Sequence, residues 1–444
     1  MLPRLVPPGD VMKNARIVAL LATAGLCSAP GALAQTPGSS EATAPVAATQ
    51  PPPPPPPPST PEEENLFRFY GTFNPRLVAA TGAVESYNQP NAVAITAAGN
   101  PVFSNAPDSA RYSFQVAQSR VGFWLNEKGR ARAQLEIDFV DFAKATPTVA
   151  SLPRVRIARV DYAFTPNHVL SLGQDWDLHA PLNPHGINLV GALFLGGNTA
   201  FMRQQVKYLY ATPSLELGAA LGFPAPNNTA KDAAFELAFT PTLAVRGAYK
   251  FGKSRVGASA IATRVPFNLG QADERFGAAV SVSLFSELSP TANTNVRVEL
   301  NAGQNSANLG LLTLAQGRLA EDMREVGGFI SVRQLIAGPH AVYGMAGYQR
   351  VLDPEKVVPS YGYSGPTTGE PPAFSTATLS GTGPGLQHNG SVRLGYEFRP
   401  LRQVAFVLEG FLFRSRFRLQ DVDVPRTGAA RTAMGIETGA LLTF

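Results

Sequence analysis

The alternation of apolar and polar residues limits the fold of this 444-residue chain more than any other feature. From Leu66 onward, short segments alternate with a period of two, as in RARAQLEIDF (130–139), NVRVELNAG (295–303) and SVRLGYEF (391–398). Successive side chains of a β-strand point to opposite faces, so each segment has one apolar and one polar face. Because no helical pattern interrupts the repeat, the sequence predicts an all-β fold.

Hydropathy narrows the choice among all-β folds. Hydrophobic residues make up 44% of the chain and charged residues 16%, yet the mean hydropathy is −0.02. No run of eighteen apolar residues occurs within the chain, which argues against membrane-spanning helices. A transmembrane antiparallel β-barrel fits this balance, because alternation hides the hydrophobicity of its lipid-facing side.

The connections between segments alternate in length. Short turns at one end and long external loops at the other are the arrangement of outer-membrane barrels. Seven turns and eight loops join about sixteen strands within residues 66–444. Residues 233–240 could form a seventeenth strand, which would place the two termini on opposite sides, so we assign them to the fourth external loop. The turns are predicted at 127–129, 165–167, 212–214, 251–254, 289–293, 337–339 and 400–403.

The amino-terminal region has the features of an exported protein. Residues 1–34 read as a signal peptide, with Lys13 and Arg16 before an apolar run and a small-residue cleavage site. A conventional signal begins at Met12, which indicates that translation starts there. Residues 35–65 form a disordered, Pro-rich periplasmic segment with eight consecutive prolines. It acts either as a tether without a partner or as an anchor to the cell wall or to another envelope protein.

Cysteine and net charge exclude several classes of function. The single cysteine, Cys27, lies in the predicted leader, so thiol catalysis and disulfides are not expected in the mature chain. Residues 66–444 carry 34 basic and 27 acidic residues, a net charge of +7 that mildly favours anions. No basic cluster with stacking aromatic residues suggests nucleic acid as a partner.

Two motifs resemble enzyme or metal sites. GAYKFGKS (247–254) matches the phosphate-loop pattern, but its alternation continues a strand and predicts a hairpin. Asp175, Asp177, His179 and His185 could supply metal ligands, although the intervening prolines favour a polar loop lining an aqueous space. We therefore predict no metal, no cofactor and no enzymatic activity.

Charged residues on the polar faces are the candidate pore lining. An arginine facing lipid would cost roughly 2–4 kcal/mol at the membrane midplane, so these side chains are expected to face a wet lumen. The alternative is that many of them pair and hold the wall rigid. A predicted bulge disturbs the alternation around Arg120, Arg159 and Asp161. The basic candidates are Arg120, Arg132, Arg159, Arg203, Lys207, Arg246, Arg297, Arg333 and Arg393, and the acidic candidates are Glu136, Asp138, Asp161, Glu299, Glu397 and Glu437.

Aromatic residues lie near the predicted strand ends, where barrels need them at the membrane interface. The terminal stretch RTAMGIETGALLTF (431–444) alternates to the last residue, and we expect it to pair with residues 66–77 and close the barrel. Phe444 resembles the terminal aromatic residue of bacterial outer-membrane barrels, which is part of their assembly signal. The expected interface residues are Phe69, Tyr70, Tyr162, Phe164, Tyr208, Tyr210, Tyr249, Phe251, Phe285, Tyr396, Phe398 and Phe444.

Several short motifs resemble those of the bacterial trimeric porin superfamily, and within it the DcaP-like porins. They are SRVGF (119–123), LEIDF (135–139), LGQDW (172–176), RQQVKY (203–208) and the hairpin from PTLAVRGAY to IATRV. The resemblance implies a homotrimer of sixteen-stranded barrels that takes up dicarboxylate-type solutes. It also implies a constriction by the third external loop, residues 177–199, with Asp177, His179, His185, Asn188 and Asn198. The coiled coil that precedes the DcaP-like barrel has no counterpart here.

These observations predict a diffusion porin for small hydrophilic, preferably anionic, solutes. Its expected partners are outer-membrane lipid, the barrel-assembly machinery, further copies of the chain and small polar solutes. The alternative is a non-conducting outer-membrane barrel with a structural, adhesive or enzymatic loop function.

Overall fold

The computed structural model describes most of the chain after residue 65, in segments. The described residues are 66–81, 84–86, 89–90, 93–95, 101–103, 111–139, 153–189, 192–200, 202–223, 240–267, 272, 275–309, 311, 322–354, 362–363, 374–375, 386–417 and 429–444. The chain divides into two units, Met1–Glu62 and Glu63–Phe444. The predicted signal peptide and Pro-rich segment lie outside the described residues. No helix in the described part is long and apolar enough to span a membrane.

The second unit is a closed antiparallel barrel of sixteen strands. The first two strands each consist of two segments. The strands are β1 (Phe67–Phe73 and Arg76–Ala80), β2 (Arg111–Gln115 and Arg120–Leu125), β3 (Ala131–Asp138), β4 (Arg154–Thr165), β5 (His168–Trp176), β6 (Met202–Ala211), β7 (Leu215–Gly222), β8 (Thr242–Phe251), β9 (Ser254–Phe267), β10 (Arg275–Thr291), β11 (Thr294–Gln304), β12 (Arg324–Ala337), β13 (His340–Val351), β14 (Leu386–Leu401), β15 (Val404–Phe417) and β16 (Ala429–Thr443).

Each strand pairs with its neighbours in sequence, and β16 pairs with β1 to close the sheet. The closing register joins Thr72 to Thr443 and Arg76 to Gly439, which confirms the predicted closure although the pairing extends to residue 80. Strand β7 pairs directly with β8, so the sheet has no place for a further strand between them. Residues 233–239 lie outside the described part, but the even strand number is confirmed.

All seven predicted short turns occur, and they lie at one end of the barrel, which we call the turn end. The long connections lie at the opposite end, the loop end. The phosphate-loop pattern is a hairpin, as predicted: Phe251 pairs with Ser254, and the backbone at Gly252 has a φ of +56°, which glycine adopts without strain.

The alternation sorts side chains between two environments. Val245, Leu300, Leu394 and Ile436 are among the large apolar side chains that are more than half exposed on the outer face. Their neighbours in sequence are mostly polar and point into the barrel. A soluble monomer rarely exposes so much apolar surface, whereas a barrel in lipid requires it.

One local irregularity and two wrong assignments qualify this pattern. The predicted bulge near Arg159 occurs as a register shift between Val155 and Ile157 of β4. Tyr70 and Phe285 were expected at the membrane interface, and both expectations are wrong. Tyr70 points inward and its hydroxyl accepts a hydrogen bond from Gln134 (2.6 Å), while Phe285 is buried inside the barrel.

Phe444 lies on the outer face at the end of β16. Its main-chain nitrogen and oxygen each make a 3.1 Å hydrogen bond with the main chain of Gly71. Its ring covers Gly71 and lies 5.5 Å from the ring of Phe73. The terminal residue therefore contributes to the seam between the first and last strands.

Candidate functional site

The third long connection, between β5 and β6, runs inside the barrel. We call residues 177–200 the inner loop; 190 and 191 lie outside the described residues. The main-chain nitrogen of Ala180 donates to the hydroxyl of Ser259 on β9 (3.3 Å). That of Leu182 donates to a carboxyl oxygen of Glu299 on β11 (3.1 Å). Inward-facing side chains of the wall thus hold the first half of the loop.

The tip of the inner loop reaches the opposite side of the barrel. The side-chain amide of Asn74, between the two segments of β1, donates to the main-chain oxygen of Ile187 (3.1 Å). Gln118 donates to the side chain of Asn188 and accepts from the main-chain nitrogen of Leu189, both at 2.8 Å. Polar groups at the breaks in β1 and β2 therefore fasten the tip.

The returning half of the loop packs closely on the wall. Asn389 donates to the main-chain oxygen of Leu195 (3.0 Å), and Asn301 donates to that of Gly197 (2.8 Å). Gly197 has a φ of +111°, and a side chain there would overlap the main chain of Gly328. Only glycine fits this approach.

Apolar side chains of the inner loop form a cluster with the wall. Leu182, Ile187 and Leu193 pack with inward-facing residues that include Phe329 and Met345. The apolar part of the loop thus faces the inner wall. Its burial stabilises the loop in addition to the hydrogen bonds.

The two loop histidines occupy separate polar sites. His179 is fully buried between the hydroxyls of Ser281 (3.0 Å to Nε2) and Ser259 (3.5 Å to Nδ1). His185 lies between Ser331 and Asn295, with 2.8 Å contacts to Nδ1 and Nε2. Burial lowers the pKa of His179 to about 4, and burial with the nearby Arg297 charge lowers the pKa of His185 to about 4. Both rings are therefore neutral near pH 7.

The other candidates from the same stretch also have separate partners. Asp177 pairs with the Nε atom of Arg203 (2.8 Å), and both side chains are buried. Asn198 lies 3.4 Å from the side chain of Asn183. Asp175 contacts the wall cations instead of the histidines. Across the described residues, no three His, Cys, Asp or Glu side chains are grouped as a metal site would require.

Shared ion pairs line the inside of the barrel, mostly in its turn-end half. In this part of the wall, five carboxylates each contact two cations. Glu216 contacts Arg246 (2.7 Å) and Lys250 (3.3 Å), and Glu287 contacts Arg297 (2.9 Å) and Arg255 (3.1 Å). We call this set the basic belt. It consists of the cations Arg132, Arg159, Lys207, Arg246, Lys250, Arg255, Arg297, Arg333 and Arg399, and the carboxylates Asp161, Asp175, Glu216, Glu287 and Glu397.

The basic belt has a cation excess that its own ion pairs do not neutralise. Asp161 contacts Arg132 and Arg159, and Arg159 also contacts Asp175. Its nine cations share five carboxylates, leaving a formal excess of four positive charges. Many of its guanidinium groups are partly exposed although they point inward, and the Arg297 side chain is 30% exposed.

A second group on β3 and β4 pairs the predicted Glu136 and Asp138 with two arginines that are not among the candidates from the sequence. Glu136 pairs with Arg156, and Asp138 makes a bidentate pair with Arg154 (2.9 and 2.7 Å). Arg120 is nearby on β2, and its guanidinium donates to the main-chain oxygen of Leu189 in the inner loop. This part of the wall is tightly paired.

A third group is buried between β14, β15, β16 and β1. Arg393 contacts Glu409 (2.5 Å) and Glu437 (3.6 Å), and Glu437 also pairs with Arg76. The hydroxyl of Tyr343 donates to Glu409 (2.8 Å). Arg76 and Arg393 are among the largest side chains that are almost completely buried. This buried cluster connects neighbouring strands and has a structural character.

Several members of these groups were missed at the level of sequence. Lys250, Arg255 and Glu216 lie beside short turns, where the alternating stretch is too brief to stand out. Their position in the alternation could have identified them, because Lys250 lies two and four positions from inward-facing Ala248 and Arg246. The sequence offers Asp175 only as a candidate metal ligand, whereas the structure pairs it with Arg159 and Lys207.

Comparison with solved structures identifies the fold. No protein-family model and no curated protein matches the sequence. The outer-membrane channel DcaP of Acinetobacter baumannii superimposes with a TM-score of 0.59 at 12% identity, over 85% of this chain and 97% of that chain. OprB of Pseudomonas putida superimposes with a TM-score of 0.50 at 9% identity, over 85% and 94%. The chain therefore has the fold of bacterial outer-membrane porins.

Proposed function

We propose that the protein is an outer-membrane diffusion channel for small hydrophilic solutes that favours anions of the carboxylate type. The basic belt is the observation that carries this proposal. A sixteen-stranded barrel encloses more space than its own side chains fill, and cations that remain partly exposed inside it indicate contact with water.

The charge excess of the basic belt supports the preference for anions. Each belt carboxylate is already engaged by two cations, so an entering carboxylate meets guanidinium and ammonium groups with free donor capacity. Arginine can bind a carboxylate through two parallel hydrogen bonds. A net positive lining raises the local concentration of anions and repels cations.

The inner loop is proposed to set the width of the channel. It follows the inner wall from Ser259 on β9, past Asn295 and Ser331, to Asn74 between the two segments of β1. Residues Asp177, His179, His185, Asn188 and Asn198 are thus proposed as constriction residues that act through their attachment to the wall. The inner wall on the remaining side of the lumen carries the ion pairs of strands β3 to β6.

The outer surface supports placement in an outer membrane. Its apolar strand faces match lipid, and Tyr162 with Phe164, and Tyr249 with Phe251, lie near the turn end as interfacial pairs. We propose that the turn end faces the periplasm, that residues 35–65 lie there and can contact the cell wall, and that the barrel forms a homotrimer. Phe444 is proposed to serve recognition by the barrel-assembly machinery.

A channel accounts for the polar groups better than an enzyme does. His179 and His185 are neutral and enclosed by wall residues, and Asp175 and Asp177 are engaged by cations. None of these four groups is arranged as a nucleophile beside a base.

Liposome swelling tests the proposal. Liposomes containing the purified, folded protein are expected to swell in a small neutral sugar and to swell faster in a dicarboxylate of similar size. The double variant Lys250→Gln, Arg399→Gln is expected to narrow that difference without abolishing sugar entry. No permeation of either solute by folded protein would contradict the proposal.

A further inference from the structure

Three arginines and one histidine lie on the outer face of the barrel, away from the lumen. Arg350 at the end of β13, His388 at the start of β14, and Arg414 and Arg416 at the end of β15 lie at the loop end. All three arginines are exposed. We call these four residues the outer patch.

Strand register places the outer patch on one surface. Arg350 pairs with His388, and His388 pairs with Arg416, so the three occupy one row across three strands. Arg414 lies two residues below Arg416 on the same face. Because neighbouring strands are about 4.8 Å apart, the Cα atoms of Arg350 and Arg416 are roughly 10 Å apart. That separation suits a single polar headgroup.

The neighbours of these residues show which way they point. Tyr348, two residues before Arg350, is 46% exposed, and Leu412, two residues before Arg414, is 41% exposed. Phe413 and Ser415, which alternate with Leu412, Arg414 and Arg416 along β15, are fully buried. The outer patch therefore shares the outward face with the apolar surface and lies just beyond it.

The outer patch also differs from the basic belt in its partners. Within the described part of the chain, Arg350, Arg414 and Arg416 make no ion pair with a carboxylate. Asp353, just after β13, is engaged by Arg324 through a bidentate contact of 2.9 and 3.1 Å. Three neighbouring cations without a carboxylate repel one another and favour binding of a polyvalent anion.

We propose that the outer patch binds the phosphate groups of a lipid headgroup in the outer leaflet of the membrane. Arginine binds phosphate through two parallel hydrogen bonds, and a row of arginines can engage more than one phosphate. The apolar surface directly below, with Tyr348, Val392 and Leu412, would contact the acyl chains of the same lipid. Basic clusters at the end of an apolar membrane surface recognise anionic lipids in this way.

This inference rests on the proposed membrane placement and does not depend on conduction. It commits to a lipid because the cations adjoin the lipid-facing surface. A free phosphate ion, or an acidic surface on a second copy of the chain, would be a different ligand. The experiment must separate these sources.

The test uses the full-length protein purified in detergent and titrated with lipid A, a phosphorylated glycolipid, in native mass spectrometry. The patch variant is Arg350→Gln, Arg414→Gln, Arg416→Gln. The control variant, Lys128→Gln, Lys253→Gln, Arg402→Gln, removes the same charge from the short turns. Loss of about fivefold in affinity for each patch arginine predicts lipid binding about a hundredfold weaker. The control variant should bind within about twofold of the unchanged protein.

Three further measurements decide the outcome. Dephosphorylated lipid A should bind the unchanged protein as weakly as lipid A binds the patch variant, and inorganic phosphate should not compete. The patch variant should keep the heat-resistant mobility of the folded barrel and its single-channel conductance. Equal binding of lipid A by the patch and control variants, competition by inorganic phosphate, or dissociation of oligomers in the patch variant without loss of lipid would overturn the proposal.

Discussion

The side-chain amide of Asn74 donates a 3.1 Å hydrogen bond to the main-chain oxygen of Ile187, and so ties β1 to the tip of the inner loop. Replacing Asn74 with Ala removes this tie, at a cost of about 1 kcal/mol to loop docking. We expect higher and noisier single-channel conductance, because the loop leaves the wall more often. Asn167→Ala in a short turn is the matched control. Identical single-channel traces for the Asn74 and Asn167 variants would argue against a role of this hydrogen bond in loop docking.

Docking of the inner loop should weaken in acid. His185 is neutral in the docked loop with a pKa of about 4, against an ordinary value of 6.5. The undocked loop therefore binds a proton first, so docking is unaffected above pH 6.5 and weakens as the pH falls from 6.5 to about 4. Arg297 and Arg333 oppose protonation in place, and Glu287 favours it. His179 changes in the same direction.

Single-channel recording across that pH range tests this dependence. Conductance noise should rise between about pH 6.5 and about pH 4 in the unchanged protein. The double variant His179→Gln, His185→Gln keeps hydrogen-bonding groups but cannot titrate, so its noise should change much less. An equal response of variant and unchanged protein would assign the effect to other groups.

The cluster around Arg393 should be important for stability. Removing this cation by Arg393→Met leaves Glu409, which is fully buried, without its charged partner. Loss of one partner from a buried pair costs about 3–5 kcal/mol. The denaturant concentration at the midpoint of unfolding should fall accordingly, which tryptophan fluorescence can follow. Arg416→Met, at an exposed site, is the control, and equal midpoints would show that the cluster contributes little.

Deletion of Phe444 should impair assembly more than conduction. The residue closes the seam by two hydrogen bonds to Gly71, and its ring packs near Phe73. We expect a lower amount of folded barrel in the membrane, measured by heat-modified mobility on gels, with normal conductance of the molecules that assemble. Phe406→Ala, an exposed aromatic change on β15, controls for loss of a ring. Normal levels of the truncated protein would refute the assigned role.

Much of the fold could be predicted because its determinants are local. Period-two alternation gives the face of each side chain, as at Leu300 beside Glu299, and turn residues such as Gly252 mark the hairpins. The even strand number could be predicted because an odd number would place the two termini on opposite sides. The break between the two segments of β1 was not visible, because Asn74 and Pro75 interrupt the ladder for reasons that depend on the inner loop.

The partners inside the lumen could not be predicted in the same way. Alternation shows that Arg246 points inward but not which strands lie beside it at the same height. That depends on the register around the closed sheet. Glu216 reaches both Arg246 and Lys250 only because β7 and β8 pair as they do. The attachment of the inner loop to Glu299 depends on contacts distant in sequence and is likewise not encoded locally.

The reversal potential in a planar bilayer under a salt gradient tests the central claim most directly. The double variant Lys250→Gln, Arg399→Gln leaves Glu216 paired with Arg246 and Glu397 paired with Arg333, so folding should be unaffected. We predict stepwise conductance with an anion-favouring potential for the unchanged protein, and about a two- to threefold lower anion-to-cation permeability ratio in the variant. The control variant Lys253→Gln, Arg402→Gln should change neither the conductance nor the permeability ratio. Folded protein without stepwise conductance, or with a cation-favouring potential, would contradict the account.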